Sequence, residues 1–328
     1  MLQLRLQAER WPIRGQFRIS RDTFTHSQMI VVEISDGQHT GRGECEPHES
    51  DPAAVEAAMQ SIHALEKHIT RGLTRATLAQ LMPACPARNA LDCALWDLEA
   101  KQAGRRAWEL IGLPVRESSE TAFTLGIDTA EAMAQKATRY ANWRLLKIKL
   151  GGHDDTDLDR VRAIRHARPD ARLIVDANGG WTIERLREMA AALKLLGCEL
   201  IEQPLPRDAD DALKYYRSPV PLCADESCLD RSSLAHVIPR YQYINIKLDK
   251  TGGLTEAFAL VRSAQAAGVG VMVGCMVGTS LAMAPATLIA QHAQFIDLDG
   301  PLLLDQDREP GIAYDNGRIL LPQRELWG

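Results

Sequence analysis

The sequence predicts an α/β protein: a (β/α)8-type barrel, in the modified TIM form (β/α)7β, that follows an N-terminal α+β capping domain. Three observations predict it. Eight short apolar runs follow residue 113, segments with helical periodicity separate them, and the chain before residue 112 instead has strands followed by helices. Alternating strands and helices place parallel strands in one sheet. Eight units favour a closed barrel over an open doubly wound sheet, and no dinucleotide-binding G-x-G-x-x-G follows the first strand.

Residues 1–112 make up the predicted capping domain. Met29–Ile34 is apolar enough for a strand, and Asp36 with Gly37 predicts a hairpin turn into a returning strand. A helix is predicted to start at Pro52, with Asp51 as its N-cap. The helical spacing of three leucines predicts a second amphipathic helix, around Leu91, Leu95 and Leu98.

The barrel is predicted over residues 113–305, and residues 306–328 are predicted to return towards the capping domain. The helical segments between the strands often end in glycine, as ERLREMAAALKLLG does at Gly197. The eight strands are expected to begin close to residues 122, 145, 172, 200, 221, 243, 270 and 295.

Composition argues against several classes of protein. The 328 residues are 45% hydrophobic and 25% charged with a net charge of −5, so neither nucleic acid nor an anionic membrane is expected as a partner. The N-terminus lacks the apolar core of a signal peptide, and no apolar run reaches membrane-spanning length. The seven cysteines are scattered and include no C-x-x-C, which predicts reduced thiols in a cytoplasmic protein rather than a zinc site. A homo-oligomer is left open.

Two lysines interrupt an apolar strand in LLKIKLGG, residues 145–152. Residues two apart on a strand share a face, about 6.6 Å apart at about 3.3 Å per residue, so Lys147 and Lys149 point the same way. Repulsion between two ammonium groups lowers the pKa of one of them, which can then act as a base. We assign Lys149, nearer the strand end, as the base. Lys147 is then the cation that tunes it and contacts a substrate carboxylate.

Charged residues also stand at the C-terminal ends of the other predicted strands, where barrels of this kind carry their chemistry. Asp176, Glu202 and Asp225 lie on three successive strands, so their carboxylates can converge on one point. Three anionic oxygen donors without histidine or cysteine suit a hard divalent ion, Mg²⁺ before Mn²⁺. Lys247 is expected across the barrel mouth from Lys149. The other polar strand-end residues are Asn178, Glu226, Asp297 and Asp299.

This combination favours proton transfer at carbon. A divalent ion on a substrate carboxylate lowers the barrier to removing the adjacent carbon-bound proton, because charge builds up on the carboxylate oxygens as an enediolate. With lysines on opposite faces, the proton leaves one side and returns on the other. The sequence therefore predicts racemisation or epimerisation by two bases, Lys149 and Lys247.

These motifs resemble those of the enolase superfamily, in its muconate-lactonizing-enzyme subgroup. The resemblance covers nearly the whole chain: the capping domain and the strand ends KIK, VDAN, IEQPL, ADES and NIKLDKTGG. It implies one Mg²⁺ per subunit. The roles it implies are metal ligands at Asp176, Glu202 and Asp225, an acid/base pair at Lys149 and Lys247, and hydrogen-bonding neighbours at Asn178 and Glu226.

Within that subgroup the chain is most similar to the dipeptide epimerases of the L-Ala-D/L-Glu type. The deciding stretch is FIDLDGP, in which Asp297 and Asp299 face the same way on the eighth strand. In that family such a D-x-D holds the free α-ammonium of a dipeptide, whereas two carboxylates would repel muconate or succinylbenzoate. A role in the metabolism of murein peptides follows from the same resemblance.

The side-chain preference is expected to depend on the capping loop QFRISRDTFTHS. Phe24 could form an apolar lid there and contact the substrate, and Met276, at the end of the seventh strand, is predicted to line the same pocket. A glutamyl γ-carboxylate needs a cation, for which the loop offers Arg18, Arg21 and His26.

Three other functions remain as alternatives. A cycloisomerase or an o-succinylbenzoate synthase would use the same scaffold, but Asp297 and Asp299 disfavour its dicarboxylate substrates. A Schiff-base aldolase would use one barrel lysine without a metal, which the carboxylate triad disfavours. A non-catalytic metal-binding protein would require a pocket that is closed to substrate.

Overall fold

The N-terminal part of the computed structural model is an antiparallel sheet with helices packed on one face; the structure describes residues 1–47, 52–152 and 154–328. The predicted strand at Met29–Ile34 and the predicted helices are confirmed, while the expected N-cap Asp51 lies outside the described residues. The elements are β1 (Gln3–Arg18), β2 (Thr23–Ser35), β3 (Thr40–Cys45), α1 (Pro52–His63), α2 (Glu66–Thr70), α3 (Arg75–Leu81), α4 (Pro86–Gln102) and α5 (Ala107–Leu110).

Helix α4 lies directly against strand β3, and two glycines of that strand make the approach possible. A Cβ on Gly43 would lie 2.1 Å from Ala90 O, and one on Gly41 would lie 2.1 Å from Ala94 O. No side chain fits at either position, because real Cβ atoms do not come this close to a carbonyl oxygen. The TGRGEC strand therefore needs both glycines to pack on the helix.

Within the described part of the chain, eight parallel strands follow a short strand β4 (Ser118–Glu120) and are hydrogen-bonded in chain order. The first and last meet where Ala122 N donates to Ile296 O at 2.8 Å, so the sheet closes. The predicted barrel is confirmed, and the open sheet is ruled out. The strands are β5 (Phe123–Leu125), β6 (Leu145–Lys149), β7 (Arg172–Asp176), β8 (Cys198–Glu202), β9 (Leu222–Ala224), β10 (Tyr243–Ile246), β11 (Gly270–Val273) and β12 (Phe295–Ile296).

Seven crossover segments connect these strands, as the (β/α)7β prediction requires. The fourth is a 3₁₀ helix, Asp210–Tyr215, rather than the α-helix that the sequence suggested. Prolines at 206, 219 and 221 bracket it and leave little room for a longer helix. The fifth is a 3₁₀ turn, Arg231–Ser233, that runs into a short helix α9. The helices are α6 (Ala130–Arg139), α7 (Asp157–Ala167), α8 (Ile183–Leu195), α9 (Leu234–Val237), α10 (Leu248–Thr251), α11 (Leu254–Ala266) and α12 (Ser280–Ala290).

The interior of the barrel changes from apolar to charged along each strand. The layer at the beginning of the strands is a cluster that includes Leu145, Ile174 and Leu200. Residues two further along the same strands share that face and are charged: Lys147, Asp176 and Glu202. The apolar layer closes the bottom of the barrel and leaves the charged layer at the C-terminal ends of the strands.

The C-terminal segment makes contacts with helix α4. After α13 (Gly300–Leu303), the hairpin of β13 (Tyr314–Asp315) and β14 (Arg318–Leu320) pairs with β4. Trp327 Nε1 donates to Cys93 O at 3.1 Å, and Gly328 N donates to Asp97 Oδ1 at 2.7 Å. The division of the chain at residues 112 and 305 stays a prediction. Among the described residues, no helix combines the length and the apolar character needed to cross a bilayer.

A buried carboxyl between the cap and the barrel makes stability depend on pH. Asp92 of α4 accepts hydrogen bonds from Thr255 N (2.9 Å) and Thr255 Oγ1 (2.6 Å) of α11. Burial outweighs these bonds and raises the pKa of Asp92 from 3.8 to about 6. The folded protein thus keeps a proton that the unfolded chain releases, so this stabilisation is complete below pH 3.8 and is lost as the pH rises through 6.

Asp92→Asn is expected to remove this dependence. As the pH rises from 4 to 7, the parent protein should lose on the order of 3 kcal/mol of unfolding free energy relative to the variant. Urea unfolding of both proteins across this range measures the difference. A difference that does not change with pH would contradict the expectation.

Candidate active site

The lysines of β6 face a ring of carboxylates at the top of the barrel. Lys147 Nζ lies 2.7 Å from Asp297 Oδ2, 2.7 Å from Glu202 Oε2 and 3.2 Å from Asp176 Oδ2. Lys149 Nζ lies 2.6 Å from the same Asp176 Oδ2 and 3.1 Å from Asn178 Oδ1. Because both ammonium groups contact one oxygen atom, the predicted shared face of Lys147 and Lys149 is confirmed.

Asp176, Glu202 and Asp225 form an acidic triad on three neighbouring strands. Each offers a carboxylate oxygen, and these oxygens all lie within 4.8 Å of one another. The side chains are buried, with exposures of 0%, 1% and 2%. Strand register brings them together, since Asp176 pairs with Glu202 and Glu202 pairs with Cys223, two residues before Asp225. Three converging carboxylates without nitrogen or sulfur donors fit a hard divalent cation such as Mg²⁺.

The carboxylates of the triad have divergent pKa values. Burial, followed by repulsion from Asp176, raises the pKa of Glu202 to about 7. Burial also opposes ionisation of Asp225, but Lys247 and Lys250 outweigh it and hold the pKa of that carboxyl well below its usual range. The ionised form of Asp176 is likewise favoured by Lys149 and Lys147 against the effect of burial, so its pKa is lowered. Asp176 and Asp225 are thus held in the ionised form that a cation would bind.

Lys247 lies on the other side of the triad. It follows β10, so the three strands that carry the triad separate it from Lys149 on β6. Lys247 Nζ is 2.7 Å from Asp225 Oδ2. Lys149 and Lys247 therefore lie on opposite sides of the acidic triad, as the sequence predicted.

The carboxylates also change the electrostatics expected for the lysines. Burial alone would lower the pKa of Lys147, but Asp297 and Glu202 outweigh it and raise that pKa well above its usual value. The pKa of Lys247 is raised in the same way, against burial, by Asp225. The sequence argument considered repulsion between Lys147 and Lys149 and omitted the acids that touch Lys147. Those acids neutralise much of the charge that was expected to act on Lys149.

Asp297 and Asp299 meet at Thr124 of β5, where the barrel closes. Thr124 N donates to Asp299 Oδ2 at 2.6 Å, and Thr124 Oγ1 lies 3.1 Å from Asp297 Oδ1 and 3.2 Å from Asp299 Oδ1. A hydroxyl has one proton, so these two carboxylate oxygens share it and keep unused acceptor capacity. Burial and the nearby Asp297 raise the pKa of Asp299 to about 7. The pair is suited to a cationic ligand.

A cavity of about 560 Å³ lies above these groups, between the barrel and the capping domain. The capping domain contributes Arg21, whose guanidinium is 2.9 Å from Glu226 Oε1. Asn178 Nδ2 lies 3.4 Å from the same oxygen. The sequence-predicted residues that line the cavity are Lys147, Lys149, Asn178, Asp225, Glu226, Lys247, Met276, Asp297 and Asp299.

The prediction that Phe24 contacts the substrate is corrected. Phe24 pairs with Phe17 across the β1–β2 hairpin and packs in an apolar cluster with Ile13 and Met29. It is not among the residues that line the cavity, whereas Phe17, Ile19 and Arg21 are. The segment predicted as a loop is mostly strand, so its side chains alternate between two faces. Without the strand boundaries, the sequence does not show which of these side chains face the cavity.

Four polar residues of the site were missed by the sequence argument. Lys250 Nζ lies 2.5 Å from Asp225 Oδ1, and Asn245 Nδ2 donates to Glu202 Oε1 at 2.7 Å. Thr124 and Gln203 complete the set. Alternation along β10 would have found Asn245, since it lies two residues before Lys247, and alternation along β5 would have found Thr124, since it lies two residues after Ala122 of the apolar layer. Lys250 and Gln203 had no comparable signal.

Comparison with known proteins agrees with this geometry over most of the chain. The family model for enolase C-terminal domain-like sequences matches residues 129–325. The model for the N-terminal domain of mandelate racemase and muconate lactonizing enzyme matches residues 1–112. The chain belongs to the enolase superfamily. The two matched ranges include both the cap and the barrel that carries the acidic triad.

Two curated superfamily members show the range of activities among relatives. L-Ala-D/L-Glu epimerase of Escherichia coli K12 is 44% identical over 319 residues, which cover 95% of this chain and 98% of the relative. N-acetyl-D-glutamate racemase of a Pseudoalteromonas species is also 44% identical, over 302 residues that cover 92% of this chain and 95% of the relative.

Solved structures of the superfamily extend the similarity to the whole fold. An enolase family member from Agrobacterium tumefaciens, with homology to dipeptide epimerases and with bound sodium and L-Ala-L-Glu, superposes with a TM-score of 0.95 at 45% identity over 100% of both chains. A dipeptide epimerase from Enterococcus faecalis V583, complexed with Mg and L-Leu-L-Tyr, has a TM-score of 0.89 at 28% identity over 98% of this chain and 97% of that one.

Proposed function

We propose that this protein is a Mg²⁺-dependent dipeptide epimerase, an isomerase that inverts the α-carbon of the C-terminal residue of L-Ala-L-Glu and related dipeptides. The observation that carries the proposal is the order of groups around the barrel mouth. Lys149 and Lys247 flank the acidic triad, and Asp297 with Asp299 lies beside Lys147. An E. coli relative with this activity and a solved relative with bound L-Ala-L-Glu support the choice of substrate.

The two lysines move the proton. Lys149 takes the α-proton from one face of the substrate, and Lys247 delivers a proton to the opposite face; their roles exchange in the reverse direction. When bound to Asp176, Glu202 and Asp225, Mg²⁺ supplies positive charge beside the substrate carboxylate and so stabilises the charge that builds up there. Lys147 adds a second positive charge near the substrate carboxylate, because three carboxylates keep its ammonium group protonated.

The two ends of the dipeptide are recognised by opposite charges. Asp297 and Asp299 receive the α-ammonium at the unused acceptor positions around Thr124 Oγ1. Among the described residues of the capping domain, Arg21 is the cation that lines the cavity, and it is placed to pair with a glutamyl γ-carboxylate. Its partner Glu226 keeps it at the cavity mouth.

Solvent deuterium exchange tests the proposal. Incubated with L-Ala-L-Glu and Mg²⁺ in D2O, the protein is expected to give L-Ala-D-Glu with deuterium at the glutamyl α-carbon, seen by NMR and mass spectrometry. N-acetyl-L-glutamate and the o-succinylbenzoate precursor are the comparison substrates, since a relative racemises N-acetyl-D-glutamate. Turnover of either one, with every dipeptide inert, would replace the proposal with racemisation of N-acyl amino acids or with o-succinylbenzoate synthesis.

Asp299→Asn is expected to weaken selection for a free amine. The discrimination in kcat/KM between L-Ala-L-Glu and its deaminated analogue propionyl-L-Glu should fall about 10- to 100-fold, because a hydrogen bond to a charged group contributes about 1.5–3 kcal/mol. Asp299 is preferred to Asp297 for this test because Asp297 also holds Lys147. Unchanged discrimination would place the ammonium elsewhere.

The cellular setting belongs to the same proposal. All seven cysteines are free thiols. Free thiols are typical of a reducing compartment such as the cytoplasm. Dipeptides released from murein are the substrates we propose there. Assembly into a homo-oligomer stays open, and light scattering of the purified protein would measure it.

A further inference from the structure

Gln203 is a buried residue at the end of β8, directly after Glu202. It is 0% exposed and has a backbone φ of 32°, in the left-handed region that residues with a Cβ seldom adopt. Its side-chain Oε1 accepts hydrogen bonds from Asp225 N at 2.9 Å and from Ser227 N at 3.1 Å. One amide oxygen thus holds the backbone on both sides of Glu226.

The backbone of Gln203 joins the same strand ends. Gln203 N donates to Cys223 O at 2.8 Å, and Gln203 O accepts from Gly179 N at 2.7 Å. Cys223 lies two residues before Asp225, and Gly179 lies three residues after Asp176. Gln203 therefore connects the ends of β7, β8 and β9, which carry the acidic triad.

The orientation of the Gln203 amide is fixed from its other side. Nε2 donates to Leu205 O at 2.8 Å and to Ser227 Oγ at 2.8 Å. Ser227 Oγ in turn donates to Asp210 Oδ2 at 2.7 Å, as Tyr241 OH does at 2.9 Å. Because the carbonyl of Leu205 can only accept, the amide nitrogen must face it, and Oε1 must face the two backbone N–H groups.

We propose that Gln203 is a positioning residue for the metal site: it sets the direction of the Asp225 carboxylate relative to Asp176 and Glu202. The inference rests on the proposed function, because it takes the triad as the Mg²⁺ site. Backbone strain of this kind persists where surrounding contacts enforce it, and it concentrates at functional sites. Groups that orient metal ligands contribute to metal affinity although they do not touch the metal.

Binding of Mn²⁺, followed by electron paramagnetic resonance or calorimetry on the whole protein, tests the inference without an activity assay. Gln203→Leu is expected to raise the dissociation constant about 10- to 100-fold, as loss of other groups that orient metal ligands does. Gln203→Gly accommodates the left-handed backbone but lacks the amide, and it is expected to weaken binding to a similar extent.

Gln242→Leu is the matched control. Gln242 Oε1 accepts from Leu222 N at 3.0 Å, so this variant loses an equivalent amide–backbone bond at the opposite end of β9. Its affinity for Mn²⁺ is expected to equal that of the parent protein. Comparable thermal unfolding midpoints of Gln203→Gly and Gln242→Leu without metal would separate positioning from general destabilisation.

Each failure has a distinct signature. Parent-like binding by Gln203→Gly would show that only the backbone conformation matters and would overturn the inference, even if Gln203→Leu does not fold. Weak binding by Gln242→Leu as well would also overturn it, since any disturbance of β9 would then suffice. If the parent protein itself binds no Mn²⁺, or if Asp225→Asn binds it equally well, the proposed function fails instead.

Discussion

Lys149→Ala and Lys247→Ala are each expected to lower kcat for epimerisation of L-Ala-L-Glu about 10³- to 10⁴-fold, at the upper range of general acid–base catalysis. Inversion needs one amine on each face of the α-carbon, so either loss interrupts it. The remaining lysine still reaches the proton on its own face. Each variant should therefore exchange deuterium into one diastereomer without inverting it, and the two variants should exchange opposite diastereomers.

NMR of L-Ala-L-Glu and L-Ala-D-Glu in D2O measures both properties in one experiment. Lys194→Ala removes an exposed lysine of α8 and serves as the control, with no change expected. Lys149 also contacts Asp176, so Mn²⁺ affinity should be measured for Lys149→Ala to separate proton transfer from metal loss. Exchange of the same diastereomer by both alanine variants would contradict the opposite-face arrangement.

Removal of the divalent ion is expected to abolish activity, and Glu202→Gln should reproduce much of the effect in the presence of Mg²⁺. A bound metal stabilises developing charge by several kcal/mol, and each 1.36 kcal/mol changes a rate tenfold, so a loss of about 10³-fold in kcat/KM is expected. Glutamine keeps the size of the side chain and its hydrogen bond from Asn245, but it removes the negative charge and the oxygen that contacts Lys147.

Glu199→Gln is the matched control for this loss. Glu199 lies three residues earlier on β8 and forms a partly exposed ion pair with Arg172, at 2.7 Å, which contributes little to stability. Added Mg²⁺ should raise the thermal unfolding midpoint of the parent protein and of Glu199→Gln, but not that of Glu202→Gln. Full activity after treatment with EDTA would contradict a role for the metal.

The positions of the charged residues could be predicted because strands alternate. Once the eight apolar runs were recognised, Lys147, Asp176 and Glu202 had to lie on the inner face, and their strand ends had to meet at the barrel mouth. The order of the strands then placed Lys149 and Lys247 on opposite sides of the triad. This part of the site needs only local pattern and topology.

Other features could not be predicted because they depend on contacts between distant segments. Lys147 touches Asp297, which is 150 residues away in sequence, so the acids that raise its pKa had no local signal. Phe24 was misplaced because the sequence does not show where β1 ends and β2 begins. Gln203 follows a predicted metal ligand, but the two backbone N–H groups it accepts from belong to the next strand.

The cavity wall comes from two parts of the chain: the proposed proton-transfer lysines belong to the barrel, while Arg21, Ile19 and Phe17 come from the hairpin of the cap. Only one direct ion pair, from Arg21 to Glu226, links that hairpin to the acidic strand ends within the described residues. The residues that select the substrate side chain can therefore change in evolution independently of the residues that react with it. A changed hairpin sequence would let Lys149 and Lys247 act on a different dipeptide while the barrel residues stay the same.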